Sequence, residues 1–272
     1  MEIAFATGSF DDIRSTDVRF LQEASRLGTL HVYLWSDELT RKVNGTLPKF
    51  PQEERLYFLK AIRYVDQVHL IDQIVNPSRP PLLEGRSSGT WVVPEDGNTP
   101  QKNPFPASSG MRYHVVRQEL LNQFPQGETA VTGRPSTKKV IVTGCYDWLH
   151  SGHIRFFEEV SALGDLYVVA GSDENVQLLK GEGHPLFPQD ERRFMVQSIR
   201  FVTQAWISTG QGWMDAAPEI DLIKPDIYAV NEDGDKPEKR DYCRMKGIEY
   251  VVLKRLPKKG LPKRISTDLR GF

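Results

Sequence analysis

Two hydrophobic patterns alternate along this chain. In its second half, Lys138-Lys139-Val140-Ile141-Val142-Thr143-Gly144 is a short β-branched run that stops at a glycine, as buried parallel strands do. Apolar residues then recur at helical spacing (Ile154, Phe157, Val160 and Leu163), which predicts a helix over 153–163. Residues 165–170 read as a second strand, and Pro188 with Gln189 opens a helix over 190–202 whose first turn is acidic. Two further strands are predicted at 226–230 and 248–253, with a helix over 238–246 between them. Strands alternating with helices predict a parallel sheet covered on both faces.

The same pattern occurs twice. Thr7-Gly8-Ser9-Phe10-Asp11 returns as Thr143-Gly144-Cys145-Tyr146-Asp147, an offset of 143 − 7 = 136. Ser36-Asp37-Glu38 returns as Ser172-Asp173-Glu174 at that offset. After a one-residue slip, PKFPQEER at 48–55 returns as PLFPQDER at 185–192, and Glu95-Asp96-Gly97 as Glu232-Asp233-Gly234. An internal repeat of this length predicts a duplicated domain. The expected fold is α/β, two tandem Rossmann-like doubly wound domains over 1–136 and 137–272. The Pro/Gly-rich stretch 76–110 reads as an eroded part of the first domain, its prolines shortening or abolishing the helix that the second copy has at 213–224.

Composition narrows the function. With 35 basic and 36 acidic side chains the net charge is −1, which supplies no field for a polyanion and counts against nucleic-acid binding. Two cysteines, Cys145 and Cys243, are too few for a disulfide framework and suit a reducing compartment. The start of the chain lacks the basic region of a signal peptide, and no apolar run has the length of a membrane span, so the expected location is cytoplasmic.

Candidate chemistry gathers after the first strand of the second copy. His150 and His153 stand three apart across Gly152 at a helix start, so both can face one ligand, and Gly152 clears the approach of a phosphate to the backbone. By itself, His-x-Gly-His is also compatible with polar surface or a capping arrangement. Zinc is disfavoured because neither cysteine lies at ligand spacing from the pair. From Leu253 onward the chain is basic, with a single acid, Asp268.

The order Gly144-x-Tyr146-Asp147-x-x-His150-x-Gly152-His153, then Ser172-Asp173-Glu174, Lys180-Gly181, Glu191-Arg192 and Arg264-Ile265-Ser266-Thr267, resembles the cytidylyltransferase-like nucleotidyltransferase superfamily. The tandem form is most similar to ethanolamine-phosphate cytidylyltransferase, with the first copy degenerate. The resemblance implies Mg²⁺-dependent transfer of a nucleotidyl group from a nucleoside triphosphate to a phosphorylated or phosphonate acceptor, with release of pyrophosphate. It implies that His150, His153 and Lys180 are catalytic, and that Gly144, Cys145, Tyr146, Asp147, Gly152, Asp233, Arg264, Ile265, Ser266, Thr267 and Arg270 bind the nucleotide. Metal would arrive on the triphosphate. Arg192 and Trp213 stand as acceptor-binding or structural residues, a core position being an equal reading for Trp213 and a helix ion pair for Arg192. Where the glycerol-phosphate relatives place an acceptor-binding lysine this chain has Ala216, and Asn231 replaces a glycine common in the family.

In the first copy, Arg14 and Asp17 occupy the two histidine positions, so that copy is expected to be inactive and to serve as an intramolecular pseudo-dimer partner; a homodimer of the whole chain stays open. CTP is favoured over ATP because Tyr250-Val251-Val252-Leu253 leads to the Arg-Ile-Ser-Thr signature. The alternatives are an adenylyltransferase making an ADP-sugar, a nucleotide sensor without turnover, and a zinc hydrolase.

Overall fold

The computed structural model describes residues 2–74, 79, 89–102 and 111–269. It separates into two compact units, Met1–Phe124 and Pro125–Phe272. In the first lie β1 (Ile3–Gly8), α1 (Ser15–Ser25), β2 (Thr29–Trp35), α2 (Asp37–Asn44), α3 (Gln52–Ala61), β3 (Gln67–Ile71), β4 (Thr90–Pro94), β5 (Arg112–Val116) and the short α4 (Gln118–Leu121). The second holds β6 (Lys139–Gly144), α5 (Ser151–Ser161), β7 (Asp165–Ala170), α6 (Asp173–Lys180), α7 (Gln189–Gln197), β8 (Gln204–Ile207), α8 (Ala217–Ile223), β9 (Ile227–Asn231), α9 (Pro237–Lys246), β10 (Glu249–Leu253) and α10 (Ser266–Leu269).

Each unit is a five-stranded parallel sheet, with order β3-β2-β1-β4-β5 in one and β10-β9-β6-β7-β8 in the other. The two orders are the same when β6 is matched to β1. In the second sheet β6 leads to β7 on one side, while β9 leads to β10 on the other. Right-handed crossovers running in opposite directions put α5 and α9 on opposite faces, and the strand order reverses between β6 and β9. On the α9 face, Ile141, Tyr167, Val169, Tyr228 and Val230 of the sheet pack with Ile220, Ile223 and Cys243. Both central strands are buried on each face, which is why β6 and β7 read as unbroken apolar runs rather than alternating ones.

The units meet twelve residues before the expected boundary, because 125–136 packs on the second sheet. Arg134 ion-pairs with Asp165, Gln204 receives the Thr132 N–H at 3.0 Å, and the Tyr167 hydroxyl donates to the Thr132 carbonyl. Other differences are local. Helix α5 begins at Ser151 because His150 caps it, and α7 ends at Gln197, where Ser198 Oγ turns back to the Phe194 carbonyl at 2.8 Å. The span 213–224 is broken into a 3₁₀ turn, Gly212–Met214, followed by α8 with Pro218 in its first turn. The stretch 76–110 contributes β4, a strand beside the central β1; its expected helix loss falls on 76–87, which lies outside the described residues apart from residue 79.

Candidate active site

Ligands of open α/β sheets bind where strand order reverses, beyond the carboxyl ends of the strands. There the second unit has a cleft of about 430 Å³. Its floor is the β6 end, Thr143 to Asp147; one side is formed by Gly152, His153 and Phe156 of α5. Lys180 closes α6 on the rim, and Val230, Asn231, Asp233 and Gly234 continue β9. Lys239, Arg255, Ile265 and Ser266 complete the lining.

The two histidines form a stacked pair, ring centres 4.0 Å apart. His150 is the N-cap of α5, and its Nδ1 accepts the Gly152 N–H at 3.1 Å. With Nδ1 accepting, the neutral ring carries its proton on Nε2, which is buried and has no hydrogen-bond partner among the described residues. His153 Nδ1 is buried and unpartnered too. Burial first, then the Arg255 and Arg264 charges, push the His150 pKa down to about 3. His153 is held well below the ordinary range by burial, then by His150, Arg255 and Lys180. Both rings are therefore neutral at pH 7, and each has a buried nitrogen without a hydrogen-bond partner among the described residues. Gly152 is required by the cap itself: a Cβ there would meet His150 Cε1 at 2.9 Å.

Beneath the cleft is a frame of backbone hydrogen bonds. Asp147 Oδ1 accepts the Leu186 and Phe187 N–H groups at 2.7 and 3.0 Å, tying the loop after α6 to the strand end. Tyr146 takes a left-handed backbone conformation, φ 52°, which turns its ring onto His153 and Phe157. Burial raises the Tyr146 and Cys145 pKa values, so both stay protonated.

Arg192 is 1% exposed and lies behind the floor, not on the cleft lining. Its guanidinium donates to the carbonyls of Phe187 at 2.9 Å, Cys145 at 2.6 Å and Gly171 at 2.7 Å, and to Asp173 at 2.7 Å. It is a buried clamp on strand ends, which agrees with the structural alternative for this residue and not with an ordinary helix ion pair. Trp213 is 56% exposed with Lys236 5.2 Å from its ring centre, which corrects the reading of a core tryptophan. Ala216 is the buried one, packed under Tyr228 and Cys243.

At the other wall Arg255 ion-pairs with Asp233 and donates to the Arg264 carbonyl at 3.3 Å. That carbonyl lies close to Gly152, and Ser266 Oγ donates to the Trp148 carbonyl at 3.3 Å. The 264–266 segment is thus held against the start of α5. The cleft's two acids, Asp147 and Asp233, are both engaged, and no group of three or more metal-ligating side chains occurs among the described residues. Such a site fits a divalent ion held by phosphate oxygens and water, not one caged by protein ligands.

A model of the family described as cytidylyltransferase-like matches residues 141–257. The FAD synthase of Ferroglobus placidus is 35% identical over 120 residues, which are 43% of this chain and 75% of that protein. This chain belongs to the cytidylyltransferase-like nucleotidyltransferases. The FAD synthase of Aciduliprofundum boonei is 36% identical over 136 residues, 49% of this chain and 84% of that protein. The bifunctional protein HldE of Desulfatibacillum aliphaticivorans is 41% identical over 119 residues, 42% of this chain but 23% of that larger protein. Among solved structures, the lipopolysaccharide core biosynthesis protein of Thermoplasma volcanium matches 44% of this chain and 99% of its own, at 25% identity and a TM-score of 0.39.

In the second unit, ten sequence-predicted site residues meet on one cleft: Gly144, Cys145, Tyr146, Asp147, Gly152, His153, Lys180, Asp233, Ile265 and Ser266. His150 sits behind His153, and Arg264 lines a small neighbouring recess with Lys254 and Lys263. Arg270 and the Thr267 side chain lie outside the described residues. Sequence reasoning missed Phe156 and Lys239 as parts of the cleft, and had Arg255 only as one charge of the basic C-terminal segment. The signal for Lys239 was topological: the helix after the strand beyond the reversal point opens toward the same crevice. No helix among the described residues is long and apolar enough to cross a membrane.

Proposed function

We propose that the second unit of this chain transfers a nucleotidyl group from a nucleoside triphosphate to the phosphate of a small-molecule acceptor, releasing pyrophosphate. The observation that carries this reading is the stacked pair of buried, neutral imidazoles at the α5 N-terminus: His153 lines the cleft with Lys180, His150 lies behind it, and each has a nitrogen without a hydrogen-bond partner among the described residues. Neutral N–H donors in a preorganised pocket stabilise charge that develops on a phosphoryl group. Positioning supplies the rest, since phosphoryl transfer needs little covalent help from the protein. The start of α5, Ser266 and Arg255 are the groups suited to the triphosphate tail. Lys180, which makes no ion pair among the described residues, is suited to the α-phosphate. A Mg²⁺ ion bound to the triphosphate would be held by phosphate oxygens and would neutralise charge on the leaving group.

For the nucleotide, the FAD synthase relatives support ATP over the CTP favoured by the Arg264-Ile265-Ser266-Thr267 signature, with a phosphorylated flavin or sugar as acceptor. The test is pyrophosphate release by the full chain with Mg²⁺ and each of the four common triphosphates, against flavin phosphate, sugar phosphates, phospho-alcohols and phosphonates. Release with ATP and one phosphate acceptor is expected, and release only with CTP would return the reading to cytidylyl transfer. A chain that binds no nucleotide would overturn it.

A further inference from the structure

Helix α9 brings a second lysine to the cleft, from the sheet face opposite α5. Lys239 lies in the first turn of that helix, is 9% exposed and lines the cleft. Its Nζ donates to Thr143 Oγ1 at 3.4 Å and sits 5.7 Å from the Tyr228 ring centre. Among the described residues no carboxylate reaches it at ion-pair distance. Asp215 acts on it from farther away, while Lys236, just before the helix, opposes it. The position is doubly unfavourable for an ammonium group: it loses water, and it faces the positive end of the helix dipole. Burial accordingly lowers its pKa. A buried cation whose one hydrogen bond is a long contact to a hydroxyl is incomplete without an anion.

We propose that Lys239 is the cation that binds the phosphate of the acceptor. The inference rests on the nucleotidyl-transfer reading above. In that reaction an oxygen of the acceptor's phosphate dianion bonds to the α-phosphorus. The bond from that phosphorus to the bridging oxygen breaks, and pyrophosphate leaves with the electron pair; the attacking oxygen has no proton to lose. Attack and departure are roughly in line, so the two groups lie on opposite sides of the α-phosphorus. With pyrophosphate on the α5 side, the incoming phosphate arrives on the side that α9 serves, where Lys239 waits.

The test uses the full chain with Mg²⁺ and saturating α,β-methylene-ATP, titrated with inorganic phosphate by calorimetry. Lys239→Met should weaken phosphate binding about tenfold or more, the loss of one charge-assisted hydrogen bond, while Lys239→Arg retains most of it. Affinity for the nucleotide analogue should change less than about twofold in both variants, since that contact is not with the triphosphate. Without ligand, Lys239→Met should also raise the unfolding midpoint, because it removes an unneutralised buried charge; a structural lysine would lower it. Unchanged phosphate affinity in Lys239→Met overturns the inference, as does a loss that falls on the nucleotide instead. A wild-type chain that binds the analogue but not phosphate overturns the inference alone. One that binds neither overturns the functional reading with it.

Discussion

The two units share a frame and differ in what they mount on it. Asp11 accepts the Lys49 and Phe50 N–H groups at 2.7 and 3.0 Å, just as Asp147 accepts those of Leu186 and Phe187. Arg55 bonds to the carbonyls of Phe50, Ser9 and Trp35 and to Asp37, the counterparts of the four partners of Arg192. Phe10 and Tyr146 both adopt the left-handed conformation after the first strand. At the start of the next helix the likeness ends. Arg14 is the N-cap of α1, bound to Asp12, and Asp17 accepts the Arg14 N–H at 2.8 Å. A helix start that in one unit leaves imidazole nitrogens unpartnered is in the other closed on itself by a carboxylate. Groups whose contacts are the same in both units are therefore scaffold, and groups whose contacts differ are candidates for chemistry; Lys102, the counterpart of Lys239, also lies over an aromatic ring, that of Trp91, but is tied to the Gly97 carbonyl at 2.6 Å.

The largest effect should come from breaking what is shared. Removing a buried guanidinium leaves three carbonyls and a carboxylate without their donor, which costs on the order of 3–5 kcal/mol. Arg192→Met and Arg55→Met should each lower the stability of its own unit by that amount in urea unfolding. A substitution at Arg192 that left stability intact but abolished acceptor binding would restore it to the active site and break the comparison.

Breaking what is not shared should affect rate instead. If nucleotidyl transfer runs as proposed, His153→Ala removes one donor to the reacting phosphoryl group, with an expected loss of about 10²–10³-fold in pyrophosphate release. Asp17→Ala, at the matching position of the first unit, should leave that rate within about twofold of wild type, since only groups that meet the transition state change it. A comparable loss in both variants would mean that the first unit takes part in the chemistry.

Much of this contrast was legible in the sequence because it depends on residue identity at a constant offset. The repeat gave both sheets, and replacement of His150 and His153 by Arg14 and Asp17 marked the unequal helix starts. Six of the ten predicted residues on the cleft came from one contiguous motif at a strand end, since residues 143–153 are local in the chain and must be local in space. What stayed hidden depends on burial. Arg192 looked like an ordinary helical charge, and only the fold reveals that the chain wraps carbonyls around it. Lys239 gave no local signal, because its neighbours in the chain are solvent-facing and its partners lie 96 and 11 residues away, at Thr143 and Tyr228. The unit boundary was displaced because 125–136 is held by side chains of β7 and β8 rather than by any pattern of its own.

The smallest predicted effect is a difference of sign with pH. In the folded second unit the His150 pKa is about 3, below its ordinary 6.5, so below pH 6.5 the unfolded chain binds a proton that the folded chain refuses. Stability from this group is complete above pH 6.5 and falls by about 1.4 kcal/mol per unit below it, or about 2 kcal/mol by pH 5. His153 acts in the same direction. In the first unit Asp17 is raised from 3.8 to about 6, chiefly by burial and against the Arg14 N–H that lowers it. Between those values the folded chain holds a proton that the unfolded chain has lost, so Asp17 destabilises at pH 7 and the penalty shrinks as pH falls toward 4. Acidification from pH 7 to 5 should therefore weaken the second unit through its histidines and favour the first through Asp17. His150→Asn keeps an N-cap acceptor and should remove about 2 kcal/mol of acid sensitivity in urea unfolding. Asp17→Asn should abolish the opposing gain and leave the chain more acid-sensitive than wild type. If His150→Asn loses stability with acid as steeply as wild type, the imidazole is not held neutral, and the contrast between the two helix starts is one of shape without a difference in charge.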